Sequence, residues 1–322
     1  MNNNICRICN KGNNVEEYVL KEMMFGSMDE FEYFKCSNCG CLQIKQFPEN
    51  IEKYYPHDYL SYPEPSIPAI KKFLGKKREK FFLSSKGIIG KLLLYFFGFN
   101  DPDLLWFSEA YIRKNDYILE VGCGQGKLLK KLYDSGFNNL FGVDPFISED
   151  INYKNNLKII KKDFLQVENM EFDWIMFHHS FEHLKDPAAT FIKLNKLIKK
   201  NGNVLIRIPV IDSYAWNHYG TDWVQLDPPR HCFLHTVKSI EYLSNKFNFK
   251  IKNIIYDSTS FQFLGSEQYK KQIPLMSPKS YFKDPDNSIF KKEDVSYYNE
   301  KAKELNRNKK GDTACFFLQR LN

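Results

Sequence analysis

The segment that most constrains the fold is residues 116–145, DYILEVGCGQGKLLKKLYDSGFNNLFGVDP. Tyr117–Val121 is a short apolar run suited to a buried parallel strand. It ends in Glu120-Val-Gly122-Cys-Gly124-Gln-Gly126, and Lys127–Asp134 then carries Leu128, Leu129, Leu132 and Tyr133 at helical spacing. Ser135-Gly136 stops that helix, and a second apolar run at 140–143 ends in Asp144, 18 residues after Gly126. Strand, glycine turn, helix and strand form a β-α-β unit. Its turn lies at the carboxyl end of the first strand, where open α/β sheets bind ligands.

The turn is not a dinucleotide fingerprint, which needs a third glycine where this chain has Lys127. It opens instead with the carboxylate of Glu120, which repels a pyrophosphate and suits a cation such as a sulfonium bearing an ammonium group. On these residues, and over about 110–258, the sequence resembles class I S-adenosylmethionine-dependent methyltransferases. The resemblance implies an α/β fold with a Rossmann-like, seven-stranded doubly wound sheet whose last strand is antiparallel. It implies a cofactor site built from Glu120, Gly122, Gly124 and Gly126, with Asp144 on the ribose hydroxyls. Asp163 and Phe164, after a strand at 158–161, would read the adenine. Further strands are expected at 172–177 and 203–208, with a helix between them opened by Asp186-Pro187. A helix at 239–247 and strands at 250–256 and 314–319 complete the pattern.

Six of the seven histidines fall between 178 and 235: His178, His179, His183, His218, His231 and His235. The text after the fourth strand is His178-His179-Ser-Phe-Glu182-His183, which in this fold faces the transferred methyl group. An alcohol acceptor must lose a proton, and imidazole is the natural acceptor near neutral pH. In one reading His179 or His231 is that general base, and Glu182 orients a histidine. In a second, His179-x-x-Glu182-His183 with His231 binds a divalent cation. That pattern is similar to the Glu-x-x-Glu-His…His site of RNA 3′-end and quinone O-methyltransferases, where Mg²⁺ binds the acceptor hydroxyls. Here His179 replaces the leading Glu, which trades a hard oxygen ligand for nitrogen. In a third reading His183 and its neighbours are structural. Tyr214, Trp216, His218, Tyr219 and Trp223 precede the rigid Pro228-Pro229-Arg230-His231 loop, and suit either stacking on a sugar or a crowded core.

Five of the eight cysteines lie within the first 41 residues. Cys6-x2-Cys9 and Cys36-x2-Cys39 place four thiolates to converge on one structural Zn²⁺ with no open position; a disulfide or reactive thiols are the alternative. Gly40 supplies the open backbone after the second knuckle, and Cys41 is the spare. Together with 16% aromatic and 26% charged residues, this reads as a globular chain with a zinc-ribbon-like lobe. The N-terminus lacks a secretory layout, and no apolar run reaches a membrane-spanning length, so a cytoplasmic protein is expected.

The domain reading is a zinc lobe at 1–60, a helical connector at 61–109, a catalytic domain at 110–258 and 312–322, and an insertion at 259–311 serving as lid or oligomer contact. The net charge of +7 is local: residues 71–80 carry +5 and residues 301–310 carry +4, leaving −2 elsewhere. The basic stretch at 69–82 followed by the apolar one at 87–99 fits an interfacial membrane contact or two helices packed on the catalytic domain, and the packed pair is expected. The Pro- and Tyr-rich text at 54–68 is expected to be non-helical.

A zinc lobe ahead of this domain resembles bacterial methyltransferases that modify sugars for antibiotics or surface polysaccharides. The resemblance implies methyl transfer from S-adenosylmethionine to a sugar-containing small molecule or glycan precursor that bears phosphate, with O-methylation favoured. Sugar C-methylation, RNA methylation and a non-enzymatic cofactor-binding scaffold are the alternatives. Nucleic acid is not the expected partner.

Overall fold

The computed structural model describes residues 5–12, 15–56, 69–85, 87–97, 104, 106–154 and 157–321. The Pro-rich text at 57–68 lies outside them. The N-terminal lobe holds β1 (Val15–Lys21), β2 (Glu30–Cys36) and β3 (Leu42–Ile44), paired antiparallel in that order. Next come α1 (Ala69–Ser84), α2 (Ile88–Phe97) and the short α3 (Phe107–Ala110). The helices α1 and α2 cross closely at Gly90, where a Cβ would lie 2.3 Å from the carbonyl oxygen of Lys77. Leu83 of α1 reaches the core of the catalytic domain, whereas Ile88, Ile89, Leu92, Tyr95, Phe96 and Phe97 of α2 face solvent. The expected pair of helices is present, but this apolar row is packed on nothing among the described residues.

The catalytic unit begins with β4 (Tyr117–Val121), α4 (Lys127–Asp134) and β5 (Asn139–Val143). It continues with β6 (Ile151–Lys154), β7 (Leu157–Ile160), β8 (Phe172–His178), α5 (Pro187–Leu197) and β9 (Ile198–Pro209). Then follow α6 (Tyr214–Tyr219), β10 (Phe233–Leu234), α7 (Val237–Lys246), β11 (Phe249–Tyr256), α8 (Phe261–Lys270), α9 (Lys292–Arg307) and β12 (Thr313–Arg320). The main sheet has the order β11-β12-β9-β8-β4-β5-β7-β6. The strands from β9 to β7 are parallel, and β12 runs antiparallel between β9 and β11. The sheet has eight strands rather than seven because 151–154 doubles back antiparallel on β7 and covers its edge.

Sequence chemistry accounts for the central elements. β8 reads FDWIMFH and is buried along most of its length, as a strand covered on both faces must be. Asp186 caps α5 by accepting a hydrogen bond from the Ala189 amide, and Pro187 occupies the first helical position. The polypeptide then enters β9 directly at Ile198, earlier than the 203–208 expectation, and Asn201-Gly202 lies within that strand.

The lobe is not a separate bead. β10, from the catalytic sequence, pairs with β3 and becomes the fourth strand of the lobe sheet. One hydrophobic core runs from Cys6, Leu42 and Ile44 through Phe233 and Leu234 to Phe181 and Ile206. A second core, with Trp106, Leu129 and Met176, fills the other face of the main sheet.

Candidate active site

The glycine turn between β4 and α4 leaves its strand end with two positions that only glycine fits well. Gly122 has φ +70°, and a Cβ there would lie 2.5 Å from the Cβ of Ser180. Gly126 has φ +71°, and a Cβ there would meet the Ile159 side chain at 2.1 Å. Asp144, at the end of β5, is buried and accepts hydrogen bonds from the amides of Gly124 and Phe146, each at 2.8 Å. It fixes the turn while each carboxylate oxygen keeps a lone pair for a ligand hydroxyl. Asp163 caps the 3-10 turn Phe164–Gln166 through the Leu165 amide at 2.7 Å, and Phe164 is buried beneath it.

Gly122, Asp144, Asp163 and Phe164 border a cavity of 490 Å³, which Gly124 and Gly126 do not line. Val121, Gly122, Asp144, Asp163, Phe164 and Ser180 form the catalytic-domain wall, and Phe47, Ile51 and Tyr55 of the lobe contribute the opposite wall. Tyr55 stacks on Phe146 with ring centroids 4.7 Å apart. The volume suits a nucleoside-sized ligand. A buried carboxylate at the end of β5, apolar side chains beside Asp163 and a turn closed to side chains fit S-adenosylmethionine. Glu120 and Gly122 also border a smaller, 220 Å³ cavity with Lys127, Lys131, His178 and Arg207. Of the expected cofactor residues, Gly122, Asp144, Asp163 and Phe164 meet at the 490 Å³ cavity, Glu120 lies on the 220 Å³ side, and Gly124 and Gly126 line neither.

The histidines separate into three groups. His178 ends β8 and packs against Trp106, and burial drives its imidazole well below its usual range. His235 lies between Phe233 and Phe181 with Nδ1 3.0 Å from Ser239 Oγ, and burial pushes it down to about 3. His218 is exposed on α6. His179, His183 and His231 converge on Glu182. His179 takes a left-handed φ of 50°, a strained conformation for a residue with a Cβ. It borders all three cavities. Its Nδ1 lies 3.5 Å from Glu182 Oε1, and its side chain is 37% exposed.

Glu182 is completely buried, and neither carboxylate oxygen has a hydrogen-bond partner among the described residues. Burial opposes its ionisation, but the contact with His179 and the fields of His183 and His231 outweigh that and hold it at about 2. His231 Nε2 lies 3.9 Å from Glu182 Oε1, and burial pushes His231 down to about 4.

These histidines look into a third cavity of 450 Å³. Gln225, Asp227, Asp257, Thr259, Asp312 and Thr313 supply its polar wall. Met24 of the lobe and Phe261, Tyr269 and Leu275 of the insertion supply its apolar wall. Arg207 also borders it and pairs with Asp257 at 2.6 Å. Tyr214, Trp216, His218, Tyr219 and Trp223 do not border any of the three cavities. Trp223 is fully buried and donates to Asp312 at 2.9 Å, so this stretch builds the wall from behind.

In the lobe the four expected cysteines meet, all buried, with Cys6 and Cys39 sulfurs 3.6 Å apart and those of Cys9 and Cys36 3.7 Å apart. A tetrahedral zinc with bonds of about 2.3 Å sets its sulfurs about 3.8 Å apart, so the donor set fits that ion. Gln43 donates to Cys6 Sγ at 3.1 Å. Asn10 and Gly40, each just past the second cysteine of its knuckle, share a left-handed φ. Cys41 stays outside and donates to the Leu42 carbonyl.

The lobe also holds the loop that carries Arg230 and His231. Tyr33 donates to the His231 carbonyl at 2.9 Å, and the Ile44 amide to that of Cys232 at 3.0 Å. Arg230, buried, pairs with Glu22 of the lobe at 2.7 Å and with Asp227 beside it. Glu22, Asp227, Asp257 and Asp312 escaped sequence reasoning, because isolated acidic residues in loops carry no spacing signal.

Fold and site together define the class I S-adenosylmethionine-dependent methyltransferase architecture. The chain belongs to the methyltransferase-domain family, whose model matches residues 93–253. Among curated relatives, a tRNA U34 carboxymethyltransferase of Alteromonas mediterranea is 26% identical over 113 residues, which is 31% of this chain and 34% of that protein. An uncharacterised methyltransferase of Schizosaccharomyces pombe is 27% identical over 30% of this chain and 41% of its own. The chain thus spans between a third and a half of the length of these two relatives. Among solved structures, a putative S-adenosylmethionine-dependent methyltransferase from Listeria monocytogenes superposes with a TM-score of 0.45 at 11% identity, covering 69% of this chain and 99% of that one. One from Archaeoglobus fulgidus gives 0.42 at 16% identity, covering 73% and 100%.

Proposed function

We propose that the protein transfers the methyl group of S-adenosylmethionine to a hydroxyl of a sugar-containing acceptor, with His179 as general base. The observation that carries this is the place of His179, strained, partly exposed and common to the cofactor and acceptor cavities. When bound, the cofactor supplies a methyl on a cationic sulfur with a neutral thioether as leaving group. The chain's own work is then largely positioning, for which about 7–11 kcal/mol is available from orientation alone. His179 takes the hydroxyl proton, and Glu182 beside its Nδ1 favours the imidazolium that results.

The polar wall of the acceptor cavity suits a polyhydroxylated ring, since carboxylates and amides accept from hydroxyls in many orientations. The same wall disfavours RNA: Asp227, Asp257 and Asp312 repel a polyanion, and the net positive charge is confined to two segments. In this reading zinc on Cys6, Cys9, Cys36 and Cys39 is structural and holds the lobe that supplies one wall of the 490 Å³ cavity and Met24 to the 450 Å³ one.

The test is incubation of the protein and labelled cofactor with nucleotide sugars from a host extract, with mass analysis of the labelled product. A methyl ether on a sugar is expected; label on carbon or in RNA overturns the reading. The His179→Ala variant is expected to lose 10²–10⁴-fold in kcat at unchanged cofactor affinity. A smaller loss removes the base assignment.

A further inference from the structure

Glu182, His183 and His231 each offer one ligand atom, and these three atoms lie within 4.8 Å of one another. His183 Nδ1 is 2.9 Å from the Arg230 carbonyl oxygen, with the Tyr55 hydroxyl 3.3 Å away, and His231 Nδ1 is 2.7 Å from the Gln225 carbonyl oxygen. A carbonyl oxygen only accepts, so both Nδ1 atoms carry the proton and both Nε2 atoms carry a lone pair. This is how metal-binding histidines are held from behind by backbone carbonyls. Glu182 meets them as a fully buried carboxylate whose two oxygens lack hydrogen-bond partners among the described residues. His179 Nδ1 lies 3.5 Å from its Oε1 and His231 Nε2 3.9 Å, and burying a carboxylate on such long contacts is costly. Asp227 Oδ2, 3.9 Å from His231 Nε2, stands at the edge of the cluster.

We infer that Glu182, His183 and His231 hold one divalent cation, whose open positions face the acceptor cavity and take the acceptor hydroxyl. His183 and His231 both border that cavity, and His183 borders the cofactor cavity as well. Two imidazoles and one carboxylate favour a borderline ion such as Mn²⁺, Fe²⁺, Co²⁺ or Zn²⁺ over Mg²⁺. A hydroxyl on such an ion loses its proton more readily. In the transfer its O–H bond breaks and the proton passes to His179. The oxygen then forms a bond to the methyl carbon as the carbon–sulfur bond breaks, and the sulfur leaves as a neutral thioether. The role of the ion rests on the function proposed above, whereas its binding does not.

The experiment uses full-length protein carrying its lobe zinc, equilibrated with Co²⁺ and, separately, with Mn²⁺, without cofactor or acceptor. Elemental analysis, the visible Co²⁺ spectrum and Mn²⁺ paramagnetic resonance are the readouts. One added ion per chain is expected, lacking the thiolate-to-cobalt charge-transfer bands that displacement into the cysteine site would give. Glu182→Gln and His183→Ala are expected to weaken this uptake at least tenfold while zinc content and melting temperature hold. No added ion at millimolar metal, or equal uptake by both folded variants (an adventitious ion only), overturns the proposal. Sugar methylation without an added ion overturns it alone. Uptake of an added ion with no sugar methylated overturns the acceptor reading alone.

Discussion

At the scale of single residues, the site is decided by which side chains lose their water and what replaces it. Asp144 exchanges water for two backbone amides and offers its remaining lone pairs to the cofactor cavity. Asp144→Ala is expected to weaken S-adenosylmethionine binding about 10–100-fold by calorimetry, since hydrogen bonds to a charged group contribute about 1.5–3 kcal/mol each. The circular dichroism spectrum should hold, and unchanged affinity would remove Asp144 from the site. His235 shows the opposite case, a histidine kept neutral because burial pushes it down to about 3. Between that value and an unfolded pKa of about 6.5, only the unfolded chain takes up the proton. Stability is therefore full above about pH 6.5 and declines as pH falls toward 3. This residue should cost about 2 kcal/mol between pH 7.5 and pH 5 in urea unfolding. His235→Phe, which retains ring packing on Phe181 and Phe233, should flatten that part of the slope; an unaltered slope would assign the acid sensitivity elsewhere.

At the scale of elements, most boundaries follow from local text and the important surprise comes from packing. Capping by Asp186, the helix stop at Ser135-Gly136 and the buried run of β8 are each legible because the signal lies within a few residues. The eighth strand was not legible: INYK carries too little apolar text to declare a strand, and forms one only because the edge of β7 is available. The helices α1 and α2 were legible as helices, but whether their apolar side meets protein depends on distant surfaces. The solvent-facing row from Ile88 to Phe97, beside the cationic α1, has the layout of an interfacial membrane contact. Full-length protein is expected to sediment with anionic vesicles and much less with zwitterionic ones, and Leu92→Glu with Phe96→Glu to abolish this. Equal recovery with neither vesicle would leave the row as a protein contact.

At the scale of the whole molecule, the cysteine-bearing lobe builds part of the candidate site. Its sheet is completed by β10, its Tyr33 and Glu22 grip the loop carrying His231, and its Phe47 and Tyr55 line the cofactor cavity. Glu22→Ala removes one partner of a buried ion pair and is expected to cost about 3 kcal/mol in chemical unfolding. Turnover should fall further than cofactor affinity, because the loop borders the acceptor cavity; equal losses would place the effect in general stability. By itself the sequence determined the β-α-β unit, the cofactor turn, the cysteine set and the candidacy of His179, Glu182, His183 and His231. Those signals are local, written in spacing and residue type. Only the tertiary structure decided that His178, His218 and His235 stand apart from Glu182, that the aromatic stretch lies behind the cavity wall, and that Asp227, Asp257 and Asp312 line the 450 Å³ cavity. The physical reason is that a cavity is made by chain segments far apart in sequence. Whether a polar side chain faces such a cavity or the core depends on which distant surface removes its water.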